Sequence, residues 1–355
     1  MTAVITGWSA TSPFGHGRDA FAAGVRAGVP APAVPAPPDS WLLAGGTAHL
    51  VPDFDPVERL GRKGTGAMDR TTALAVHTLG LARADEPPSD GRTGVVLGTT
   101  SGSALTQFSF TADSLTRRKP YFVNPAQMPF ALMNSAAARS ASWHGLTGPN
   151  TTLAAGRLSG VAGLRYAGRL LRTGRAAGVF VGAAEEYSGA RELLERGTGN
   201  DLRLGEAAAI MFVRAGVSGN RSGLAEVVAL DTRLASDDAP GEALVECLRH
   251  SLAGVAPDEV WGLAVSGVDT MESEAVAEVL GTRIDRVVAP ARLVGDTGAA
   301  GGPLGVVALL ALAEGEDAAR GRVVVATAVD RDGMAGCVVL RLLDGSSMRD
   351  RGVAR

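Results

Sequence analysis

Short apolar, β-branched runs alternate with longer amphipathic or Ala-rich stretches along the chain. The short runs predict buried strands at 3–7, 93–98, 179–182, 209–213, 260–265, 323–326 and 337–342. Helices are predicted at about 19–27 and 69–82, with Asp69 or Thr71 as the N-terminal cap of the second. Apolar strands that alternate with helices are typical of a sheet covered on both faces, so the pattern predicts an α/β fold.

The sequence also contains an internal repeat. Residues 154–164 align without a gap with residues 299–309, and six of the eleven positions are identical. An apolar helix and then a strand follow each copy, so we interpret the repeat as a duplication. The N-terminal half would cover 1–220, and the C-terminal half would cover 221–345 and open with the strand at 260–265. Small residues at both helix starts would let two central helices approach closely.

Composition narrows the functional classes. The chain has 355 residues, 46% of them hydrophobic and 20% charged, and a net charge of -3. The core is therefore ample, and a nucleic-acid partner is not expected. Cys247 and Cys337 are too few for a disulfide framework, the apolar run 304–313 is too short to cross a bilayer, and 346–355 is a predicted tail. We expect a cytoplasmic protein without membrane contact.

No motif for a metal or a cofactor stands out. The sequence lacks a His/Cys/Asp cluster with metal-ligand spacing. The glycine-rich segment 61–66 lacks Gly-Lys-Ser/Thr at the spacing of a phosphate-binding loop, which favours a plain loop. We therefore expect neither a metal nor a cofactor.

Several stretches resemble the β-ketoacyl synthase branch of the thiolase superfamily. They include Ile5-Thr6-Gly7, Ala67-Met68-Asp69-Arg70, Met133-Asn134-Ser135-Ala136-Ala137, Gly145-Leu146-Thr147-Gly148-Pro149-Asn150, Val181-Gly182-Ala183-Ala184-Glu185 and Leu204-Gly205-Glu206. The stretch that ends at Asn150 is the most specific, because it resembles the approach to the family's nucleophile elbow. The resemblance spans roughly the whole chain and is stronger in the first half. It implies a thiolase fold with five layers, α-β-α-β-α, two duplicated halves, and a dimer whose two sheets join.

The resemblance also implies that the catalytic residues are missing. An active ketosynthase uses a cysteine at the start of a buried helix and two histidines. Counted from Gly148-Pro149-Asn150, Arg157 stands at the cysteine position, and Asp296 stands where the second histidine precedes a Gly-Ala-Ala-Gly run. The region of the first histidine, 266–270, has none, and the last histidine of the chain is His250. We therefore expect no catalytic residue for decarboxylative condensation.

Arg157 and Asp296 are the candidate vestigial site. A cation at a helix N-terminus opposes the helix dipole by roughly 0.3–1 kcal/mol, and burial without a partner costs far more. One interpretation pairs Arg157 with Asp296 in the place of the Cys–His pair, and the other sends Arg157 to solvent or to Glu185. Ser159 is expected to point away from this position. Segment 329–333 replaces the family's Phe-Gly-Phe-Gly-Gly.

Other reactive side chains do not form an alternative site. Cys247 and His250 are three residues apart in a predicted surface-facing helix at 243–250, and Cys337 is expected to pack as a small hydrophobic residue. The adjacent carboxylates 185–186 end a strand and should face opposite ways, which favours structural hydrogen bonding. None of these groups shows the nucleophile, base and oxyanion arrangement of an acyl-transfer site.

The segment 101–116 resembles the helix that lies at the family's dimer interface and closes the far end of the partner's acyl tunnel. The candidate tunnel and gating residues are Ala104, Gln107, Phe108, Thr111 and Met133. Ala104, Gln107 and Thr111 have i, i+3, i+7 spacing and therefore share one helix face. Their small or flexible side chains favour a longer tunnel and a longer or linear product such as a polyene. The alternative is an ordinary amphipathic interface helix with Phe108 and Phe110 in the core.

The leading hypothesis is a chain length factor, the non-catalytic subunit of a type II polyketide synthase. It would form a heterodimer with a catalytic ketosynthase α-subunit and shape the acyl tunnel, while an acyl carrier protein brings the malonyl units. The basic run 117–119 is either a solvated face or a contact with the acidic carrier protein. The alternatives are a thiolase-fold acyltransferase with non-standard residues and a non-enzymatic homodimeric scaffold.

Overall fold

The computed structural model describes most of the chain. The described residues are 2–37, 39, 41, 46–84, 91–216, 223–235, 239–281, 284 and 286–343. The predicted boundary between residues 220 and 221 and the predicted tail 346–355 lie outside them.

The described residues form thirteen strands. They are β1 (Ala3–Ser12), β2 (Gly15–His16), β3 (Val34–Pro35), β4 (Thr47–Ala48), β5 (Thr93–Gly98), β6 (Asn150–Leu153), β7 (Gly178–Glu185), β8 (Ala207–Ala215), β9 (Ala225–Leu234), β10 (Val260–Ala264), β11 (Val287–Val288), β12 (Val323–Val329) and β13 (Met334–Leu342). Every predicted strand is present, and β5 has the predicted bounds.

The same residues form eleven α-helices. They are α1 (Gly17–Ala27), α2 (Pro56–Leu60), α3 (Arg70–Ala84), α4 (Ala104–Thr116), α5 (Ser135–His144), α6 (Ser159–Arg172), α7 (Gly189–Gly197), α8 (Pro240–Ser251), α9 (Thr270–Leu280), α10 (Pro290–Val294) and α11 (Gly301–Ala313). Short 3₁₀ turns lie at Pro125–Ala131, Pro257–Glu259, Gly298–Ala300 and Asp317–Ala319. Of the two predicted caps of α3, Asp69 is the one used, because its Oδ1 accepts the Thr72 N–H at 2.8 Å.

The two halves repeat one strand order. The large sheet runs β11-β10-β12-β13-β9-β1-β8-β7-β5-β6. Each half contributes five strands to this sheet, β1, β5, β6, β7 and β8 in the first half and β9 to β13 in the second. When these five are numbered 1 to 5 in chain order, both halves have the order 1-5-4-2-3 from the centre of the sheet outward. In both halves strands 2, 3 and 4 are parallel, and strand 5 is antiparallel to strands 1 and 4. A short antiparallel pairing of β1 with β9 joins the halves. The shared order is what a duplication produces.

The C-terminal half opens with β9 and not, as predicted, with the strand at 260–265. β9 escapes the apolar pattern because Glu226, Asp231 and Arg233 interrupt it and most of its residues are only half-buried. It pairs with β13 along most of its length. The prediction therefore took β10, the second strand of this half, for its first strand.

The predicted five layers are present. α3 and α5 pack on the outer face of the N-terminal sheet, and α8 and α9 pack on the outer face of the C-terminal sheet. Between the sheets lie α6 and α11, whose apolar side chains form the central core. A Cβ atom on Gly160 of α6 would overlap the ring of Pro303 of α11, so the small residue permits the predicted close approach.

Candidate functional site

Arg157 lies in the turn between β6 and α6, at the centre of the molecule. It is 7% exposed, and α6 begins two residues later. The preceding Gly156 has φ +53°, a conformation that glycine adopts without strain. A Cβ atom on Gly156 would overlap the carboxylate of Asp330. The glycine therefore brings an acidic loop from the other half of the chain against the turn.

The guanidinium of Arg157 is held by three carboxylates. Its Nη2 lies 2.5 Å from Asp296 Oδ2 and 3.6 Å from Glu195 Oε2, and its Nη1 lies 3.4 Å from Asp330 Oδ1. Its backbone N–H donates to Asp330 Oδ2 at 2.6 Å. The predicted pairing with Asp296 is confirmed, whereas Glu185, the alternative partner, is not among the groups that hold Arg157. Sequence reasoning missed Glu195 and Asp330.

Both members of the central pair are charged. Burial alone would lower the pKa of Arg157, but the charge and hydrogen bond of Asp296, with Glu195 and Asp330, raise it above its usual value. Burial alone would raise the pKa of Asp296, but Arg157 and then Arg191 lower it to about 2. A buried charge is tolerated only when it is paired and hydrogen-bonded, as this pair is.

Asp296 has a partner for each side-chain oxygen. Oδ1 accepts the Gly298 N–H at 3.0 Å at the start of the central helical segment, and Oδ2 also accepts Asn200 Nδ2 at 2.8 Å. Its backbone carbonyl accepts Arg191 Nη2 at 3.0 Å. Asp296 therefore ties together the start of α11, the segment after α7, and Arg157.

The segment 329–333 closes this site. Asp330 begins the β12–β13 connection, and Arg331 donates to Asn200 Oδ1 at 3.1 Å and to the Thr198 carbonyl at 3.4 Å. The cavity left beside Arg157 measures about 10 Å³, which is room for about one water. Small-molecule pockets commonly enclose about 300–1,000 Å³. The central site is thus filled by its own side chains.

None of the described histidines or cysteines hydrogen-bonds to Arg157 or Asp296. His49 packs against the backbone of Gly295, and burial followed by the charge of Arg203 lowers its pKa. Both cysteines are fully buried elsewhere. The arrangement thus has no thiolate to accept an acyl chain and no imidazole pair to stabilise an enolate.

The other sequence candidates have structural roles. Cys247 is fully buried on α8, so its predicted surface position is wrong, because that side of the amphipathic helix packs on the sheet. His250 is exposed and lies 2.9 Å from Asp231 Oδ2. Cys337 is buried in β13, as predicted. Ser159 Oγ donates to the Thr99 carbonyl at 3.0 Å and accepts the Ala155 N–H, so it braces the turn.

The adjacent carboxylates at the end of β7 face different neighbours, as predicted. Glu185 Oε2 accepts the Thr100 N–H at 2.8 Å, and Glu186 accepts Ser103 Oγ at 3.0 Å. Both side chains are buried. They bind different residues of the loop between β5 and α4 and do not form an acid–base pair.

α4 lies at the surface of the chain. Ala104 is 2% exposed within this chain, Gln107 and Phe108 are half-buried, and Thr111 is exposed. Phe110 is also half-buried, so the predicted placement of Phe108 and Phe110 in the core is wrong, whereas the alternative of an ordinary interface helix stays a prediction. α4 packs on α7 and the turn at 125–131 instead of entering the core.

The structure brings some tunnel candidates together and separates others. Gly102 adjoins both Gln107 Nε2 and the backbone of Met133. Phe108 instead makes an edge contact with Trp41, with ring centroids 5.1 Å apart. Ala104 faces its own chain. Gln107 and Met133 are therefore neighbours on one side of α4, and Phe108 lies on another.

A set of exposed apolar side chains lies on this helix and in the segment that follows it, and we call this set the apolar face. Its members are 47–78% exposed: Leu115, Tyr121, Phe122, Met128, Leu132 and Met133. Large apolar side chains concentrated in one segment mark an interaction site. The edge strand β6, which ends the sheet, lies in the same half of the chain.

The comparisons with known proteins place this site in a family. The family model "Beta-ketoacyl synthase, N-terminal domain" matches residues 2–200, and the chain belongs to the β-ketoacyl synthase family. With it, the chain has the thiolase fold that its solved neighbours share.

A solved structure narrows the likeness further. "The ishigamide ketosynthase/chain length factor" is 41% identical, with a TM-score of 0.90 over 97% of this chain and 100% of that chain. "AntDE:AntF (apo)", a type II polyketide synthase acyl-carrier protein in complex with its ketosynthase, is 17% identical with a TM-score of 0.80 over 97% and 99%, and supports the fold alone. "3-Oxoacyl-[acyl-carrier-protein] synthase 2" of Vibrio harveyi is 28% identical over 148 residues, which are 40% of this chain and 35% of that enzyme.

No helix in the described part of the chain combines the length and the apolar character that crossing a membrane requires.

Proposed function

We propose that this chain is the chain length factor of a type II polyketide synthase, a non-catalytic subunit that pairs with a catalytic ketosynthase and bounds its acyl tunnel. One observation carries the proposal. A buried arginine, held by Asp296, Asp330 and Glu195, occupies the helix start where a ketosynthase needs its nucleophilic cysteine. The 41% identical relative, described as a ketosynthase/chain length factor, supports the same assignment.

The partner is proposed to cover the apolar face. Leu115 is 78% exposed and Tyr121 is 67% exposed. Each Å² of their apolar surface that a partner removes from water stabilises the complex by about 25 cal/mol. Among the described strands β6 ends the sheet, and its outer edge is the proposed place for pairing with a strand of the partner. Together they form a surface on which two thiolase-fold chains join sheet to sheet.

The tunnel wall is proposed to come from α4 and the segment after it. Gln107 and Met133 lie together beside Gly102 at this surface, with Phe108 and Thr111 on the same helix. Ala104 supports the helix from below because it is buried within the chain. Flexible side chains at the wall leave room for a long or linear acyl chain.

The acyl carrier protein is proposed as the second partner, with Arg117, Arg118 and Lys119 as a candidate contact. All three are exposed, and carrier proteins are acidic. The two thiols are unpaired and buried, which suits a reducing compartment, so we place the complex in the cytoplasm.

Co-expression with a Cys-bearing ketosynthase from the same source tests the proposal. A chain length factor gives a 1:1 complex on size exclusion, and its bulky variants change the length of the polyketide product. A homodimer that ignores the ketosynthase would support the scaffold alternative. Turnover of an acyl thioester by the isolated chain would support the acyltransferase alternative.

A further inference from the structure

Glu186 is a fully buried carboxyl group at the start of the tunnel helix. It follows β7 directly and is 1% exposed. Its Oε1 accepts Ser103 Oγ at 3.0 Å and the Leu105 N–H at 3.4 Å. Ser103 is the N-cap of α4, because its Oγ accepts the Thr106 N–H at 3.2 Å. Glu186 therefore ties the end of a core strand to the first turn of α4.

A second buried carboxyl group lies close to it. Asp69 caps α3 through Oδ1, and its buried Oδ2 has no hydrogen-bond partner among the described residues. Burial, and then the charge of Asp69, raises the pKa of Glu186 to about 8. Burial raises the pKa of Asp69 to about 6. Near neutral pH, Glu186 thus keeps its proton.

The charged groups around Glu186 are engaged elsewhere. Glu185, its neighbour on β7, adds further negative charge. Arg70 of α3 lies within range of the charge of Glu186, but its guanidinium is paired with the carboxylate of Glu206, with N···O distances of 2.6 and 2.5 Å. Arg191 of α7 donates to the backbone carbonyl of Glu186 at 2.8 Å and not to its carboxyl group. An ionised Glu186 would therefore be a buried charge that no described cation pairs with.

We infer that Glu186 is a positioning residue of the tunnel wall, whose buried carboxyl group holds the first turn of α4, and with it Gln107 and Phe108, against the end of β7. The inference rests on the proposed function, which gives that wall its purpose. When protonated, the carboxyl group can donate to Ser103 Oγ, and Ser103 can donate to Thr106 Oγ1 at 2.8 Å. Ionisation removes this donor and draws water toward the helix start.

Hydrogen exchange of the full-length chain tests the hold on α4 without any partner. In Glu186→Ala, the protection factors of the first α4 amides should fall roughly tenfold at about pH 7, because a cap contact and a buried hydrogen bond are lost. Glu186→Gln keeps a neutral side chain of the same shape and should match the wild type. The matched control is Glu272→Ala, since Glu272 is also fully buried and accepts from Ser266 Oγ and Thr327 Oγ1 far along the chain. It should leave α4 unchanged.

The pH profile separates positioning from simple packing. In the wild type, α4 protection should fall as the pH rises from about 5 to about 8, between the ordinary and the raised pKa of Glu186, and should level off above 8, whereas in Glu186→Gln it should stay level. Equal profiles for the wild type and Glu186→Gln would overturn the inference. This comparison decides the matter even if Glu186→Ala does not fold.

The heterodimer supplies the functional measurement. With complex formation intact, Glu186→Ala should broaden the product-length distribution, and Glu186→Gln should restore the wild-type distribution. An unchanged distribution and unchanged α4 protection in Glu186→Ala would refute the role of Glu186. If instead the chain forms no 1:1 complex with the ketosynthase, the proposed function fails, while hydrogen exchange still reports on Glu186.

Discussion

The backbone N–H of Arg157 donates to the carboxylate of Asp330 at 2.6 Å, across 173 positions of sequence. Arg157 belongs to the N-terminal half, and Asp330 belongs to the β12–β13 connection of the other half. The contact places an acid against the turn between β6 and α6. The two halves of this chain therefore meet through an ion-pair cluster, and the space for substrate is filled.

Asp296→Ala should lower the free energy of unfolding by about 3–5 kcal/mol, because it leaves the buried Arg157 without its nearest charge. Urea denaturation measures the loss. The control is Glu278→Gln, which removes an exposed ion pair with Arg249 at 2.7 Å and should cost less than about 1 kcal/mol. Equal costs for the two variants would show that the central pair is energetically ordinary.

Gly156→Ala should destabilise the chain more than Gly174→Ala does. Both glycines have positive φ, +53° and +67°, so both variants carry the backbone penalty. At Gly156 an added Cβ atom would overlap the carboxylate of Asp330, whereas at Gly174 an added Cβ atom would have no other atom within 4 Å. The difference between the two denaturation curves therefore reports the close approach of Asp330, and no difference would argue against that approach.

The contribution of Asp296 should depend on pH in a defined direction. Its pKa is about 2 in the folded chain, against about 3.9 for an unfolded aspartate. The unfolded chain thus takes up the proton more readily, so the stabilisation is fully present above about pH 4 and is lost as the pH falls through 2. The expected size is about 2–3 kcal/mol.

Measuring the wild type against Asp296→Asn isolates this effect. Asp69 and Glu186 have raised pKa values and act in the opposite direction, but both proteins contain them. The stability difference should narrow as the pH falls from about 5 toward 2. A difference that stays constant over this range would contradict the assigned pKa.

Bulky residues at the wall should shorten the product of the heterodimer. Gln107→Trp and Met133→Trp fill the space beside Gly102, so chromatography should show shorter polyketides at an unchanged 1:1 stoichiometry. Arg249→Trp, on the exposed side of α8, is the control for bulk alone. Wild-type product length in both wall variants would remove these residues from the wall.

Ala104→Phe should behave differently from the wall variants. Ala104 is buried within its own chain, so a larger side chain overpacks the site and should cost about 1–3 kcal/mol of stability. Thermal unfolding measures this cost. If the variant instead keeps wild-type stability and shortens the product, Ala104 belongs to the tunnel surface after all.

The sequence predicts those parts of the fold that depend on local pattern. β5 is found at its predicted bounds because an apolar β-branched run stands between polar segments. β9 is missed because its partly exposed face carries charged residues, and only pairing with β13 and β1 makes it a strand. Tertiary pairing thus decides what periodicity leaves open.

In the central site, too, local sequence pattern predicts some contacts and tertiary structure decides the others. The pairing of Arg157 with Asp296 could be predicted because both positions follow from family motifs. Asp330 and Glu195 could not, since a strand connection and a helix distant in sequence deliver them and no local pattern marks them as partners. Gly156 gives a weak indication of Asp330, because a glycine directly before Arg157 leaves room for another group to approach the backbone closely.

Intact-mass analysis of the heterodimer after incubation with an acyl thioester tests the central claim most directly. The ketosynthase subunit should gain the mass of one acyl group, and this chain should gain none, because a guanidinium held by Asp296 lies at the position that we propose to match the sulfur nucleophile. An acyl adduct on this chain that chases into product would contradict the claim.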